Sequence, residues 1–298
     1  MRSNRDSSSQ GVATPLVDLF TGRTGNAGGS PWRIMEDLVE RLRRDAGVAS
    51  ALSLDRHLNA RNVLEKRADP GIGCDGYIEP IGACFADGFR LVVNDAAPLA
   101  RQRFTIAHEI CHTYFYELVP EIKFRPHATD SFEEALCNHG AAALLMPAED
   151  VLAQVKAKDV SLDALEELSQ RYAVSLEAAF LRVRGLRLWN CEMTVWHRMI
   201  TGDFVLDKVH GWLKADWRWA DGSIPSEAWS RRNGSSISGR SFVYFERSDG
   251  YSAAEPVYFE AKRRGDSLVA LWGAKRLASF KKPSGLFGKN ERMETDLR

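Results

Sequence analysis

The chain has 298 residues, more than one typical domain, and 44% of them are hydrophobic, which allows a substantial buried core. Forty basic and 40 acidic residues cancel to a formal net charge of zero, so no overall field attracts the protein to nucleic acid or to an anionic membrane. No stretch approaches about 18 uninterrupted apolar residues, and the first residues lack a hydrophobic signal core. Five cysteines without paired spacing fit a reducing compartment, and we therefore expect a cytoplasmic protein with no membrane partner.

The chain opens with a predicted arm, a helix and a small sheet. Residues 1–30 are rich in Ser, Gly, Asn and Thr, which predicts a flexible arm. Between Trp32 and Arg44, apolar residues repeat at spacings of three and four, which predicts an amphipathic helix. Short β-favouring runs punctuated by glycines between Gly71 and Asn94 predict a small antiparallel sheet.

The next predicted helix contains His108-Glu109-Ile110-Cys111-His112. Helix positions four apart differ by only about 40° around the axis, so both imidazoles can bind one metal ion. Glu109 lies beside that position and can act as a general base toward a water whose pKa the metal lowers. The flanking residues are mostly apolar, and a buried helix rarely carries two histidines and a glutamate without partners.

A catalytic zinc ion normally has three protein ligands, which directs attention to a second predicted helix over 131–147. Glu134 is our choice for the third ligand, and Asn138 can hydrogen-bond a ligand side chain from one turn further along. Glu133 points about 100° away from Glu134 and is the weaker candidate. Two other histidines are possible ligands by chemistry alone and are interpreted as surface or hydrogen-bonded residues: His127 and His139.

Over residues 31–190 these segments resemble the ImmA/IrrE family of metallo-endopeptidases. The resemblance rests on the run 101–112 with its preceding strand Leu91–Asn94, on Glu134-x-x-Cys-Asn through Met146-Pro147, and on a helical stretch with Tyr172-Ala-Val-Ser175. It implies His108, His112 and Glu134 as zinc ligands and Glu109 as the catalytic acid/base. It also implies a protein substrate, typically a DNA-binding helix-turn-helix repressor.

The chain departs from the family pattern at two positions. Cys137 replaces the usual alanine and Gly140 the usual phenylalanine. We expect these changes to loosen the packing beneath the site without altering its chemistry.

Residues 161–190 predict two helices joined near Ala173–Ser175, similar to the helix-turn-helix-like segment of the family. The second helix offers mainly three basic residues: Arg182, Arg184 and Arg187. A DNA reader needs several exposed basic or amide residues, so we predict a packed helical pair and no direct nucleic-acid binding.

From residue 191 to 280, tryptophans occur among short β-like runs, which predicts a separate β-rich accessory or sensory domain with most tryptophans in its core. Residues 281–298 are predicted to form a mobile tail.

The predicted fold class is α+β, with a zincin-like metallopeptidase domain over 31–160. The predicted function is a zinc-dependent endopeptidase with Zn²⁺ as its cofactor.

We further hypothesise that a substrate segment pairs with the strand at Leu91–Val93. The sequence does not distinguish among three candidates for stabilising the oxyanion: Tyr114, Tyr116 and His139. The alternative function is a catalytically silent regulatory protein, such as a toxin–antitoxin component, that acts by docking a partner.

Overall fold

The computed structural model describes residues 30–47, 53–83, 85–117, 131–156, 158–210, 217–222, 226–247, 250 and 252–273. The predicted tail at 281–298 and, apart from Ser30, the predicted arm at 1–30 lie outside these residues. The chain divides into two compact units, Met1–Ala148 with Gln170–Ser175, and Glu149–Ser169 with Leu176–Arg298. The main division thus falls at residue 148, whereas the sequence predicted a domain end at 160.

The first unit combines four α-helices with three strands in its described part. These are α1 (Pro31–Asp45), α2 (Asp55–Ala60), β1 (Val63–Ala68), β2 (Gly76–Pro80), β3 (Phe89–Val93), α3 (Leu99–Glu117) and α4 (Ser131–Leu145). The predicted first helix is confirmed: α1 begins with Pro31, whose missing N–H costs nothing in a first turn, and buries Ile34, Met35 and Val39.

The sheet of the first unit is mixed, with β3 in the centre. β1 pairs with β3 in parallel and β2 pairs with it antiparallel on the other side. The antiparallel pairing predicted between Gly71 and Asn94 is confirmed for β2 and β3. The parallel strand β1 was not predicted, because it reads Val-Leu-Glu-Lys-Arg-Ala and buries only Val63, which gives no clear strand pattern. Since both sides of β3 are occupied, pairing of a substrate with Leu91–Val93 is also excluded. Among the strands that the structure describes, β2 lies at the edge of this sheet next to α3.

Helix α3 follows β3 through a hydrogen-bonded connection and packs on both α4 and β2. The Asn94 carboxamide oxygen accepts the Ala96 N–H at 3.0 Å, and the Gln102 amide donates to the Asp95 and Ala97 carbonyls at 3.0 and 2.7 Å. These bonds fix where α3 begins relative to the sheet. Fully buried apolar side chains then join the helices to the sheet: Ile34, Met35, Phe89, Leu91, Ile110, Phe115, Leu136 and Leu144.

The second unit is built on a six-stranded antiparallel sheet with helices before and beside it. Its elements are α5 (Ala148–Val155), α6 (Leu162–Tyr172), α7 (Leu176–Gly185), β4 (Glu192–Arg198), β5 (Phe204–His210), β6 (Trp217–Gly222), α8 (Ser226–Ser230), β7 (Ser236–Arg247), β8 (Ser252–Arg264) and β9 (Ser267–Trp272). The strand order is β5-β4-β9-β8-β7-β6. α5 starts at the division, and the last residues of α6 belong to the first unit. The predicted pair of helices joined near 173–175 is confirmed as α6 and α7, and Ala173 has a φ of +50° in the turn.

Two tryptophans anchor the core of this sheet. Trp196 and Trp272 are buried, and both donate their indole N–H to the hydroxyl of Thr194, at 2.9 and 2.7 Å. A buried indole needs such a partner, which Thr194 supplies without a charge. Trp212 lies outside the described residues, and only the backbone of Trp217 and Trp219 is described.

No helix in the described part of the chain combines the length and the apolar character required to cross a membrane.

Candidate metal centre and its cavity

The two histidines of α3 direct their Nε2 atoms to one position. These atoms lie 2.9 Å apart, and the ring centroids of His108 and His112 lie 4.7 Å apart at an interplanar angle of 67°. The helix spacing of four residues places both rings on one face, where they approach each other edge to face. His112 is buried, with 7% of its surface exposed.

Glu134 of α4 completes this cluster. One of its carboxylate oxygens lies 3.2 Å from His108 Nε2, and the other lies 3.3 Å from His112 Nε2. Hydrogen bonds from His108 and His112 hold the pKa of Glu134 well below its usual range, so the carboxylate is charged at neutral pH. The three residues each offer one donor atom, and these atoms all lie within 4.8 Å of one another. Two imidazoles and one carboxylate form a donor set of the kind that holds catalytic zinc.

The other ring nitrogens of the two histidines are occupied by residues of α4. His108 Nδ1 lies 3.0 Å from the Asn138 carboxamide oxygen, and His112 Nδ1 lies 2.9 Å from a Glu133 carboxylate oxygen. Glu133 is buried, with 4% of its surface exposed. The cluster therefore leaves both Nε2 atoms directed toward Glu134, and its donor set fits a metal ion.

Glu109 stands beside this cluster on the same helix. It is 7% exposed and receives a hydrogen bond from the Ile78 backbone N–H of β2. Burial raises the pKa of its carboxyl above the usual value, although both histidines counteract part of that effect. A carboxyl with a raised pKa is suited to accept a proton and release it again near neutral pH.

A cavity of about 390 Å³ opens next to these groups. Its wall is made by β2, α3 and α4, and its lining residues are Asp75, Gly76, Tyr77, Ile78, Phe104, Thr105, His108, Glu109, His112, Phe115, Tyr116, Glu133, Glu134 and Asn138. Gly76 allows β2 to lie against α3, because a Cβ atom there would meet Thr105 Cγ2 at 2.6 Å and the Val92 carbonyl at 2.8 Å. The polar cluster thus faces a space that a substrate chain can enter.

The structure separates the three residues that the sequence left open for oxyanion stabilisation. Tyr116 lines the cavity. The Tyr114 hydroxyl instead donates to the Leu38 carbonyl at 3.1 Å, under the guanidinium of Arg61. His139 pairs with Glu36 at 3.3 Å and lies against Trp32, so it is neither in the cavity nor a ligand candidate. His127 lies outside the described residues.

The sequence analysis assigned no role in the site to Tyr77 or Phe104, which line the cavity. It considered Glu133 only as the weaker metal ligand, whereas Glu133 contacts His112. The adjacent glutamates at 133 and 134 were the available signal for this contact. Which of the two glutamates faces the Nε2 atoms depends on how α4 is rotated against α3, and the helix period alone does not reveal that rotation.

The packing beneath the site is tight, contrary to the expectation from Cys137 and Gly140. A Cβ atom at Gly140 would lie 2.6 Å from Cys111 Sγ and 2.9 Å from Met35 Cγ. Cys111 and Met35 therefore fill the space that a larger residue at 140 would need. Cys137 is fully buried and hydrogen-bonds His112.

Residues 81–184, about a third of the chain, match the peptidase M78 family, described as the IrrE N-terminal-like domain. The radiation response metalloprotease IrrE of Deinococcus deserti is 36% identical over 94 residues, which are 30% of this chain and 34% of that protein. The protein of the same name from Deinococcus radiodurans is 35% identical over 94 residues, 30% of this chain and 29% of that protein. The matched segment thus spans about a third of each curated relative.

A solved structure, a Mycobacterium tuberculosis transcriptional regulator, covers 87% of this chain and 79% of its own, with 14% identity and a TM-score of 0.47. A likeness at that level carries no conclusion about function. The segment that matches the family model, residues 81–184, includes His108, His112 and Glu134. Residues 81–184 of this chain are thus similar to the IrrE N-terminal-like domain of the peptidase M78 family.

Proposed function

We propose that this protein is a zinc-dependent endopeptidase that hydrolyses a peptide bond in a protein substrate. The observation that carries the proposal is the convergence of His108, His112 and Glu134 at the wall of a cavity, with Glu109 beside them. The similarity of residues 81–184 to the IrrE N-terminal-like domain supports the same reaction class.

In the proposed mechanism, His108, His112 and Glu134 hold the metal and Glu109 moves the proton. Zinc bound there would lower the pKa of water and polarise a peptide carbonyl. Glu109 accepts a proton from water as the water oxygen attacks that carbonyl, and it delivers this proton to the departing amine. Its burial and its hydrogen bond from Ile78 keep the carboxylate in place for both transfers. Tyr116 and Tyr77 line the cavity and are the residues we propose for contacting the polarised oxygen.

An extended peptide is the substrate form that the cavity favours. β2 is an edge strand of its sheet, and Gly76, Tyr77 and Ile78 line the cavity. An exposed strand edge can bind an extended chain through main-chain hydrogen bonds. Pro80 ends the strand, which suits an edge because proline lacks the N–H that a fully paired strand requires.

We further propose that the substrate is a DNA-binding helix-turn-helix repressor and that the protein acts in transcription regulation. The resemblance to the ImmA/IrrE family supports this proposal. Direct DNA binding by the chain itself is disfavoured, because Arg182 of α7 is buried and Arg184 is half-buried, so few basic side chains of this helix are exposed.

The test is zinc content per chain in the purified wild type and in a folded Glu134→Ala variant. Near-stoichiometric zinc in the wild type with clear loss in the variant is the expected result, and it justifies a search for a cleaved repressor. A folded wild type that takes up no added zinc would favour the silent docking protein instead.

A further inference from the structure

We infer that Glu133 is a positioning residue for the metal site, holding His112 by its Nδ1 atom so that Nε2 faces the shared metal position. The inference rests on the proposed metal function of the site. The observation that carries it is the 2.9 Å contact between a buried carboxylate and the ring nitrogen that faces away from the cluster.

A carboxylate at this contact determines which ring nitrogen carries the proton. Ionised carboxylate oxygens only accept hydrogen bonds, so Nδ1 of a neutral His112 must be the protonated nitrogen. The lone pair is then on Nε2, the atom that lies 3.3 Å from Glu134. A histidine ligand with this arrangement is oriented, and its basicity is increased, before the metal arrives.

The two histidines are held in chemically different ways. Asn138 faces His108 Nδ1, and its carboxamide can turn and present either an acceptor or a donor. Glu133 has no such freedom, and its charge makes the hydrogen bond roughly twice as strong as a neutral one. We therefore assign the larger contribution to Glu133.

Other roles for Glu133 fit the geometry less well. As a metal ligand it would have to leave His112 Nδ1, whereas Glu134 already offers its two oxygens to the two Nε2 atoms. Cys137 also contacts His112, but a thiol is a weak acceptor and does not replace a carboxylate. A purely structural role would leave zinc affinity unchanged when the carboxylate is replaced by a side chain of similar size.

The experiment measures the zinc dissociation constant of the full chain by competition with a chromophoric chelator. Glu133→Met keeps the length of the side chain without an acceptor, and Glu133→Gln keeps an oxygen without the charge. We expect zinc binding about 10- to 100-fold weaker in Glu133→Met and a smaller but measurable loss, of up to about tenfold, in Glu133→Gln. The matched controls are Glu149→Met and Glu149→Gln, at an exposed glutamate in the first turn of α5, and these should bind zinc like the wild type.

A second readout follows the ring nitrogens of His112 by NMR in the zinc-loaded protein. The wild type should show a protonated Nδ1, and this proton should exchange faster with solvent in Glu133→Met. If Glu133→Met does not fold, the affinity of Glu133→Gln decides, and an unchanged value overturns the inference.

Wild-type affinity in folded Glu133→Met also overturns it, while leaving the proposed peptidase in place. A wild type that binds zinc but cleaves no protein would remove the proposed peptidase and leave the positioning role standing. Failure of the wild type to bind zinc would remove both.

Discussion

Buried charge is handled differently in the two units of this protein. In the first unit, Glu109, His112 and Glu133 are buried around a cavity, and the described residues that line it include no lysine or arginine. In the second unit the buried Lys262 is matched by opposite charges, with Asp163 at 3.1 Å and Glu166 at 2.6 Å.

The difference separates a structural use of charge from a functional one. Burying a charge is costly unless a partner compensates for it, and Lys262 has its partners within the protein. The groups of the first unit are acceptors and metal donors that converge on open space. Donors that converge on open space, as His108, His112 and Glu134 do, have the arrangement of a possible ion site, whereas closed pairs of opposite charge stabilise packing.

The strongest test of the comparison is Glu109→Gln in the first unit. Glutamine keeps the shape and can still accept the Ile78 N–H, but it does not exchange a proton. We expect cleavage of the protein substrate to fall by about 10²- to 10⁴-fold with zinc content unchanged. The measurement pairs a cleavage assay with elemental analysis, and full cleavage by the zinc-loaded variant would reject the assigned role. A partner-docking function, in contrast, would survive the substitution.

The second test removes apolar volume from the core of the second unit. Leu268 is fully buried in β9 among the residues that pack around Trp196 and Trp272. Leu268→Ala should lower the free energy of unfolding by about 2–5 kcal/mol, because the cavity it leaves is only partly closed. Denaturant unfolding followed by tryptophan fluorescence measures the loss. We expect zinc content to stay at the wild-type value. A parallel loss of zinc would show that the metal site of the first unit depends on the core of the second unit.

The third test concerns the packing beneath the metal site. Gly140→Ala should destabilise the first unit by about 1–3 kcal/mol, since the new Cβ overlaps Cys111 Sγ and Met35, and this exceeds the gain in helix propensity. Removing the sulfur in Cys111→Ala/Gly140→Ala should restore much of the loss. Thermal unfolding of both variants and of Cys111→Ala measures the coupling. Additive effects of the two substitutions would mean that Cys111 is not the obstacle.

The smallest expected effect is that of Glu260→Gln in the second unit. Glu260 accepts the Leu162 N–H at 2.9 Å, and burial raises the pKa of its carboxyl. A folded-state pKa above the unfolded value means that ionisation costs stability as the pH rises from about 4, where unfolded glutamate ionises. The glutamine variant should therefore equal or exceed the wild type at pH 7, within about 0.5 kcal/mol, and lose that advantage near pH 4.

Urea unfolding at the two pH values checks this prediction. A glutamine variant that is clearly less stable at pH 7 would show that the charge of Glu260 strengthens the start of α6, where the carboxylate receives a backbone N–H.

Local patterns in the sequence predicted the elements that carry the site. The spacing of apolar residues located α1, and the i and i+4 positions of His108 and His112 required a shared helix face. The two helices that meet at Ala173 were also predicted, because turn position and apolar period are both local properties. The strand β1 was missed, since four of its six residues are exposed and no alternation marks them.

The sequence by itself determined the chemistry available to this protein: two imidazoles and a carboxylate on one helix, and a second helix rich in small residues with acids in its first turn. Only the tertiary structure decided how those groups divide their contacts. It placed β3 in the centre of its sheet and β2 at the edge beside the cavity. It also set the rotation of α4, so that Glu134 faces the Nε2 atoms of both histidines while Glu133 contacts His112 at Nδ1. The physical reason is that helix and strand periods depend on neighbouring residues, whereas strand order and the rotation of one helix against another depend on packing between distant segments.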